Sequence, residues 1–316
     1  MDGVLVIDKP AGLTSHDVVT RVRRILHEPR VGHTGTLDPF ATGVLIVLVG
    51  RATRLAQFLS GVEKEYHAVV RFGYSTDTGD LTGKSTSEIS EPTRRSSPLT
   101  WSDREIEAAL QSLRGEIEQI PPMYSAKKLQ GRKLYELARR GKSVERKPVR
   151  VKVCEFEALR CGGQFLKDNG DGTVDLAVRV VCSAGTYVRT LAEALGERLG
   201  IGAHLAELRR TRAGDFSIAS AVTLDQLNKK VDEEALDTIL LLPDAALRSM
   251  PFVDLTQRDA KRARQGIAIS LSQHSDGAAS QGENVRMRDE AGKLVAVGFY
   301  DAASNSLQPR VVVPPE

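Results

Sequence analysis

The stretch from Arg30 to Gly50, RVGHTGTLDPFATGVLIVLVG, restricts what the chain can become more than any other. Its second part, Val44 to Val49, is an unbroken apolar run rich in Val and Ile, which reads as a buried strand. Its first part reads as a loop of defined shape. Gly32, Gly35 and Gly43 permit dihedrals that other residues resist, and Pro39 biases Asp38 toward an extended backbone. Asp38 is the only carboxylate in the stretch, so a loop anchored on a core strand mounts a single acid. Two readings stand at this point: a turn residue whose carboxylate satisfies backbone N–H groups, or an acid held for chemistry.

The 316-residue chain is long enough for two domains, or for one large domain with an appendage. Its formal net charge is only +3, so an anionic partner has to be argued from where charges cluster rather than from their sum. Cys154, Cys161 and Cys182 show no CxxC spacing and cannot all pair internally, which disfavours a disulfide framework and a structural zinc site and fits a reducing cytosol. The N-terminal GVLVIDKP lacks the flank and length of a signal peptide, and no window approaches the roughly 18 apolar residues of a spanning helix. These features predict a soluble, cytoplasmic protein.

Val4 to Asp8 reads as a strand, followed by a helix capped by Thr14 or Ser15 with Val18, Val22, Ile25 and Leu26 on its apolar face. Arg51 to Gly61 reads as one short helix. Lys64 to Gly73 alternates with period two, which places Tyr66, Ala68, Val70 and Phe72 on one face and turns Tyr66 inward. Thr76 to Pro98, rich in Ser, Thr, Gly and charge, reads as an exposed loop. Ser102 and Glu105 form a capping box for the next helix, which the spacing ends near Gly115.

Between Lys127 and Arg150 the composition changes, with ten Lys or Arg against two Glu and Tyr124 and Tyr135 close by. Such an arm suits phosphate neutralisation and base stacking, although a solvated basic hairpin has the same composition. Gly141-Lys142-Ser143 is similar to the end of a P-loop, but Glu136 stands where that motif needs Gly. Val149 to Phe156 and Thr173 to Val181 read as neighbouring antiparallel strands. The second leads to a helix marked by Val188, Leu191, Leu195 and Leu199 and closed by Gly200. Tyr187 and Arg189 fall at its start, where the helix dipole disfavours a cation; a carboxylate partner would explain Arg189, and so would a surface position. Arg209, Arg210 and Arg212 add a second basic cluster. Thr223 opens a short helix, and DEEALDTILLL reads as another ending at Pro243. From about Met250 a small β-rich unit is expected, with Thr256 capping a helix, a hairpin turning at Glu290 to Gly292, and a loop from Ser270 to Glu283.

The six histidines show no HxxxH spacing, and neither a GxSxG elbow nor a GxGxxG after a strand occurs. Acid chemistry at Asp38, an inward tyrosine, Arg189 and the basic arm are what is left.

GHTGTLDPFATGVL, with VIDKPAGLTSHD, KEYHAVVRFG, PPMYSAKKLQGRKLYELAR and GTYVRTLAEALG in that order, closely resembles the TruB-type tRNA pseudouridine synthases from about Val4 to Gly214. The resemblance implies an α+β fold, with a mixed, largely antiparallel central sheet flanked by helices and a small C-terminal PUA-like module. It implies a catalytic domain over 1–249, including an RNA-gripping arm at 119–147, and an RNA-binding module over 250–316. The implied activity is isomerisation of a uridine in the T-arm loop of tRNA (position 55 by tRNA convention) to pseudouridine. No cofactor or metal is implied, and a monomer is expected to bind the T-arm stem-loop. By the same resemblance, Asp38 is the catalytic carboxylate and Arg189 pairs with it, orients it and keeps its pKa low. Tyr66 stacks on the target base, Tyr187 supports the pair, Leu208 lines the base pocket and His33 stabilises the extruded nucleotide. Lys127, Lys128, Arg132 and Lys133 are expected to contact RNA. The alternative in a different class is a tRNA-binding or folding factor that acts without chemistry.

Overall fold

The computed structural model describes residues 1–86, 100–125, 127–129, 131–138, 140–142, 144–160, 162–271 and 280–313. Expectations for 87–98, Arg139, Ser143, Cys161 and the loop positions 272–279 lie outside the described residues, as do the side chains of Lys128 and Lys133.

The first strand, β1 (Gly3–Lys9), precedes α1 (Ser15–Leu26), whose N-terminus carries a reciprocal capping box between Thr14 and Asp17. A short β2 (Val31–Thr34) leads through the Asp38 loop into β3 (Thr42–Val49). The Val4–Ile7 run of β1 and the Val44–Val49 run of β3 are apolar because both faces of each are covered. Val4 and Val6 of β1, with Val44, Ile46 and Leu48 of β3, face one core. Leu5, Ile7, Leu45, Val47 and Val49 face a second, under α1. The Arg51 to Gly61 segment forms a 3₁₀ turn at Gly50–Leu55 followed by α2 (Ala56–Ser60), rather than one α-helix.

In β4 (Lys64–Phe72) the alternation holds, with Tyr66, Ala68, Val70 and Phe72 buried in a third core. Next come α3 (Asp103–Gln111), with its Ser102 and Glu105 capping box, and β5 (Gly115–Gln119). The arm holds a hairpin of β6 (Lys128–Leu129) and β7 (Arg132–Lys133), then α4 (Leu134–Ala138). Beyond it lie β8 (Val149–Ala158), β9 (Leu166–Asp168), β10 (Val174–Cys182), α5 (Val188–Arg198), β11 (Ala203–Ala213), β12 (Phe216–Ser217) and α6 (Leu224–Asp232). The main sheet runs β1-β3-β11-β4-β10-β8-β5, with β2, β9 and β12 paired beside it. Only the β3–β11 pairing among these is parallel. The basic segment around Arg209 is therefore a strand in the middle of the sheet, paired with both β3 and β4.

Two further expectations are corrected. No helix spans DEEALDTILLL: α6 stops at Asp232, Glu234 adopts a positive φ of 55°, and only a 3₁₀ turn follows at Leu236–Thr238. Reciprocal backbone bonds between Val4 and Leu241, at 2.8 and 2.9 Å, draw the chain against β1 instead, a tertiary gain that overrides helix propensity. Residues 76–86 are also not a free loop, since Thr76 and Asp80 are buried and the Leu205 and Leu81 amides bond across to Gly79 and Leu205 carbonyls.

The C-terminal segment comprises β13 (Phe252–Asp254), α7 (Gln257–Arg264), β14 (Ile269–Ser270), β15 (Asn284–Arg288), β16 (Leu294–Asp301) and β17 (Ser306–Val312). These strands form a sheet in the order β13-β15-β16-β17-β14, with α7 packed on a local core. Leu294, Val297 and Val311 also join the core beneath β1 and β3. The buried Arg286 reaches back to Asp244 at 2.8 Å and to the Met250 carbonyl.

Gly43 marks the tightest strand approach near the site. Its φ is +101°, and a Cβ there would collide with the Arg210 carbonyl of β11. Replacement by Ala combines backbone strain with a steric clash, so Gly43→Ala is expected to lower unfolding free energy by about 1–3 kcal/mol. Denaturant titration measures this; an unchanged midpoint would contradict the close packing of β3 on β11.

Candidate active site

Asp38 stands in the loop over residues 35–41, which is held from below. The Leu37 amide donates to Ser15 Oγ at 2.9 Å, and the Gly12 amide donates to the Pro39 carbonyl at 2.8 Å. Lys9 has no solvent exposure, and its Nζ donates to the carbonyls of Pro10, Leu13 and Pro39. Burial pushes that ammonium down to about 8, with the Asp38 charge opposing the fall. The Arg210 guanidinium closes the other end by donating to the Gly35 carbonyl at 2.8 Å. Gly35 has a φ of +68°, a conformation that suits glycine. Gly32 sits within β2 with no positive φ, so its freedom is not used.

Arg189 is the second residue of α5, whose N-cap is Tyr187, and its side chain is 4% exposed. Its Nε donates to Asp38 Oδ2 at 2.9 Å and its Nη2 to Oδ1 at 3.2 Å. This two-point geometry fixes the orientation of the carboxylate as well as its charge. Nη1 donates to the Thr78 carbonyl and Nη2 to the Tyr124 carbonyl, each at 2.7 Å. Asp80 lies behind, its Oδ2 3.8 Å from Nη1, and is itself oriented by Thr78 and Thr82. One guanidinium thus joins three segments far apart in sequence. The arm is tied to the same place a second time, because Gln119 exchanges side-chain hydrogen bonds with the backbone of Tyr187.

A cavity of about 260 Å³ brings together Asp38, Tyr66, Tyr187, Arg189 and Leu208. His33 lies on β2, outside the residues that line it. Tyr187 lines the cavity, and its backbone rather than its phenol makes the bonds to Gln119. Lys64 and Arg210 also line the cavity, as does Ser125 at the arm's root. Asp80, Lys9, Lys64 and Arg210 are parts of the site that sequence reasoning missed. The inward phase of β4 carried a signal for Lys64, two residues before Tyr66, but a terminal lysine reads as a solvent-facing end.

Burial pushes the Asp38 carboxyl up from its ordinary value; the Arg189 charge pulls it down and the Asp80 charge adds to the rise. The pair with Arg189 acts in the expected direction, but burial outweighs it. The carboxyl's open edge, with 31% of the side chain exposed, faces the cavity. Burial also pushes the Tyr66 phenol up, with Arg210 acting against it through charge and a hydrogen bond.

Residues 23–188 match the N-terminal domain of the TruB family pseudouridylate synthases, and 189–248 match the tRNA pseudouridylate synthase B C-terminal domain. The chain belongs to the TruB family. A TruB-family relative from Solibacter usitatus, named tRNA pseudouridine synthase B, is 43% identical over 99% of this chain and 100% of its own length. One of the same name from Geobacillus thermodenitrificans is 44% identical over 86% of each chain. Among solved structures, an H/ACA ribonucleoprotein bound to a substrate RNA containing 2′-deoxyuridine has a chain 26% identical, with a TM-score of 0.72 over 99% of this chain and 85% of its own. The boundary between the two family domains falls between Val188 and Arg189, so the Asp38–Arg189 pair bridges them.

Removing the Arg189 charge takes away what favours the Asp38 carboxylate, so Arg189→Gln is expected to raise the Asp38 pKa above its already elevated value. Carbon-detected NMR of the side-chain carboxyls across pH reads both positions. A fall on substitution would refute this balance of burial and charge.

Proposed function

We propose that the cavity isomerises a uridine of tRNA to pseudouridine, that the uridine is the one in the T-arm loop, and that Asp38 is the catalytic carboxylate. The observation that carries this reading is the bidentate Asp38–Arg189 pair beside Tyr66, in a chain of the TruB family. The reaction breaks the C1′–N1 bond, turns the freed base and joins C5 to C1′. Ionised Asp38 serves either as the nucleophile or as the base that removes a sugar proton. Arg189 holds its two oxygens in place while leaving one edge open to the cavity. Tyr66 stacks on the base and takes part in late proton transfer, Leu208 lines the pocket beside it, and Tyr187 flanks the pair. His33 steadies the extruded nucleotide from outside the cavity.

A folded T-loop must release its uridine before that base can enter, at a cost of about a few kcal/mol. The arm over 119–147 offsets this by gripping RNA, with Lys127, Lys128, Arg132 and Lys133 meeting phosphates. Its root is bonded to Arg189 and Tyr187, which couples RNA binding to the site. Residues 1–249 form the catalytic part, and 250–316 act as a PUA-like RNA-binding module. The enzyme acts as a monomer on the T-arm stem-loop. Among the described residues no helix is long and apolar enough to cross a membrane; with tRNA as substrate the site of action is the cytoplasm.

Asp38→Asn is expected to abolish pseudouridine formation in a T-arm stem-loop while leaving RNA binding within a few-fold of wild type. Residual isomerisation would remove Asp38 from its role, whereas a wild-type protein that binds the stem-loop without isomerising it would favour the tRNA-binding factor. Replacing Lys127, Lys128, Arg132 and Lys133 together by Ala is expected to weaken RNA binding. It should also flatten the salt dependence by about 0.7–0.9 in log–log slope for each phosphate that is no longer neutralised. Filter binding across salt concentrations measures both, and an unchanged slope would exclude this part of the arm.

A further inference from the structure

The cavity contains more positive charge than its one carboxylate requires. Asp38 is matched by Arg189, yet two other cations line the same space. Lys64 is 6% exposed and Arg210 only 1%. Lys64 Nζ donates to the carbonyls of Ser60 and Val62. The Arg210 side chain donates to the carbonyls of Val44 and Gly35. Neither forms an ion pair with a carboxylate among the described residues. A buried cation without a counter-ion is costly, and backbone dipoles compensate it only in part. Burial, reinforced by the Arg210 charge, pushes the Lys64 ammonium down to about 8.

Their position relative to Tyr66 indicates which anion they serve. Lys64 precedes Tyr66 by two residues on β4 and shares its face, a displacement of about 7 Å along the strand. Arg210 lies directly opposite Tyr66 in the β4–β11 register. Both cations therefore flank the tyrosine on which the base stacks, deep in the wall, whereas the half-buried and exposed segment Ser183–Thr186 lines the same cavity nearer solvent. An ammonium has three N–H donors, and two of those on Lys64 are engaged, which leaves one for a ligand.

We propose that Lys64, backed by Arg210, binds the uracil base while it is detached from the sugar and stabilises the negative charge that it then carries. This inference rests on the isomerase reading above. When C1′–N1 breaks, its electron pair stays on N1, and the base becomes a monoanion with charge shared by N1, O2 and O4. Attack of Asp38 at C1′ and removal of a sugar proton by Asp38 each release that same anion. C5 then supplies the electron pair for the new bond to C1′, the C5 proton is lost, and N1 ends protonated. No net charge is gained or lost, and the cations are needed only between the two bond changes. Preorganised positive charge at that point favours the transition state over the bound substrate.

Lys64→Gln keeps a donor for the Ser60 and Val62 carbonyls but removes the charge; Lys64→Met removes both, and Lys64→Arg restores the charge. Single-turnover loss of the target nucleoside is followed by nucleoside chromatography, with T-arm stem-loops carrying either uridine or 5-fluorouridine at the target. Fluorine stabilises the base anion on its own, so the cation should matter less for that substrate. Lys64→Gln is expected to slow uridine conversion by about 10²-fold or more, to slow 5-fluorouridine by less than about 10-fold, and to leave RNA affinity near wild type. Lys64→Arg is expected to recover most of the uridine rate. Equal slowing of both nucleosides, or weakened RNA binding that accounts for the loss, would assign Lys64 to a phosphate or to the fold and overturn the proposal. Unaltered rates in Lys64→Gln would overturn it as well. Should Lys64→Met fail to fold, Lys64→Gln still decides. Failure of the wild-type protein to form pseudouridine would reject the isomerase reading itself, an outcome distinct from all of these.

Discussion

The bidentate contact between Arg189 and Asp38 is what the rest of the site depends on. The segments over 35–41, 76–86 and the root of the arm have little core of their own, yet all three end on one guanidinium. Its planar fork can satisfy a carboxylate edge and two carbonyls at once, which a lysine's compact head cannot. A carbonyl left unsatisfied in such a place costs about 1–3 kcal/mol. The same contact that orients the acid therefore also holds the walls around it. Arg189 sits at the N-terminal end of α5 against the preference of the helix dipole because these partners outweigh it.

Around this pair the protein uses buried cations as struts. Lys9 ties the Asp38 loop to β1, and Arg210 ties Gly35 and Val44 to β11. Both bond to backbone carbonyls instead of carboxylates, which keeps Asp38 the only acid lining the cavity among the described residues. The local field is positive without the loop being flexible. Asp80 sits just behind, close enough to Arg189 to tune it and too deep to compete for a ligand.

Much of this was legible in the sequence where a local rule and the tertiary structure agree. The period of β4 turned Tyr66 inward, and the cap residues Thr14, Ser102, Thr223 and Thr256 each begin a helix. Glycine and proline spacing marked the Asp38 loop, while the role of its acid came from the family resemblance. Illegible were the features made by partners distant in sequence. The alternation of β11 is broken by irregularities at Leu205/Glu207 and Arg210/Arg212, so a central strand read as a basic cluster. Lys64 and Arg210 look like surface residues until their carbonyl acceptors are known. Asp80 sits in a polar loop whose burial follows from pairing beside Leu205, and Leu241 leaves its helical pattern to bond Val4.

The parallel seam between β3 and β11 also bears on how the molecule comes to exist. Arg209 bonds Thr42 across 167 positions, and Arg189 meets Asp38 across 151. Until β11 inserts, β3 and β4 are not neighbours and the cavity lacks Leu208 and Arg210. Closing loops of that length is slow and leaves strand edges open in the meantime. The strand that joins β3 to β4 is thus the same strand that carries Leu208 and Arg210 into the cavity wall, so sheet continuity and pocket shape are one structural event.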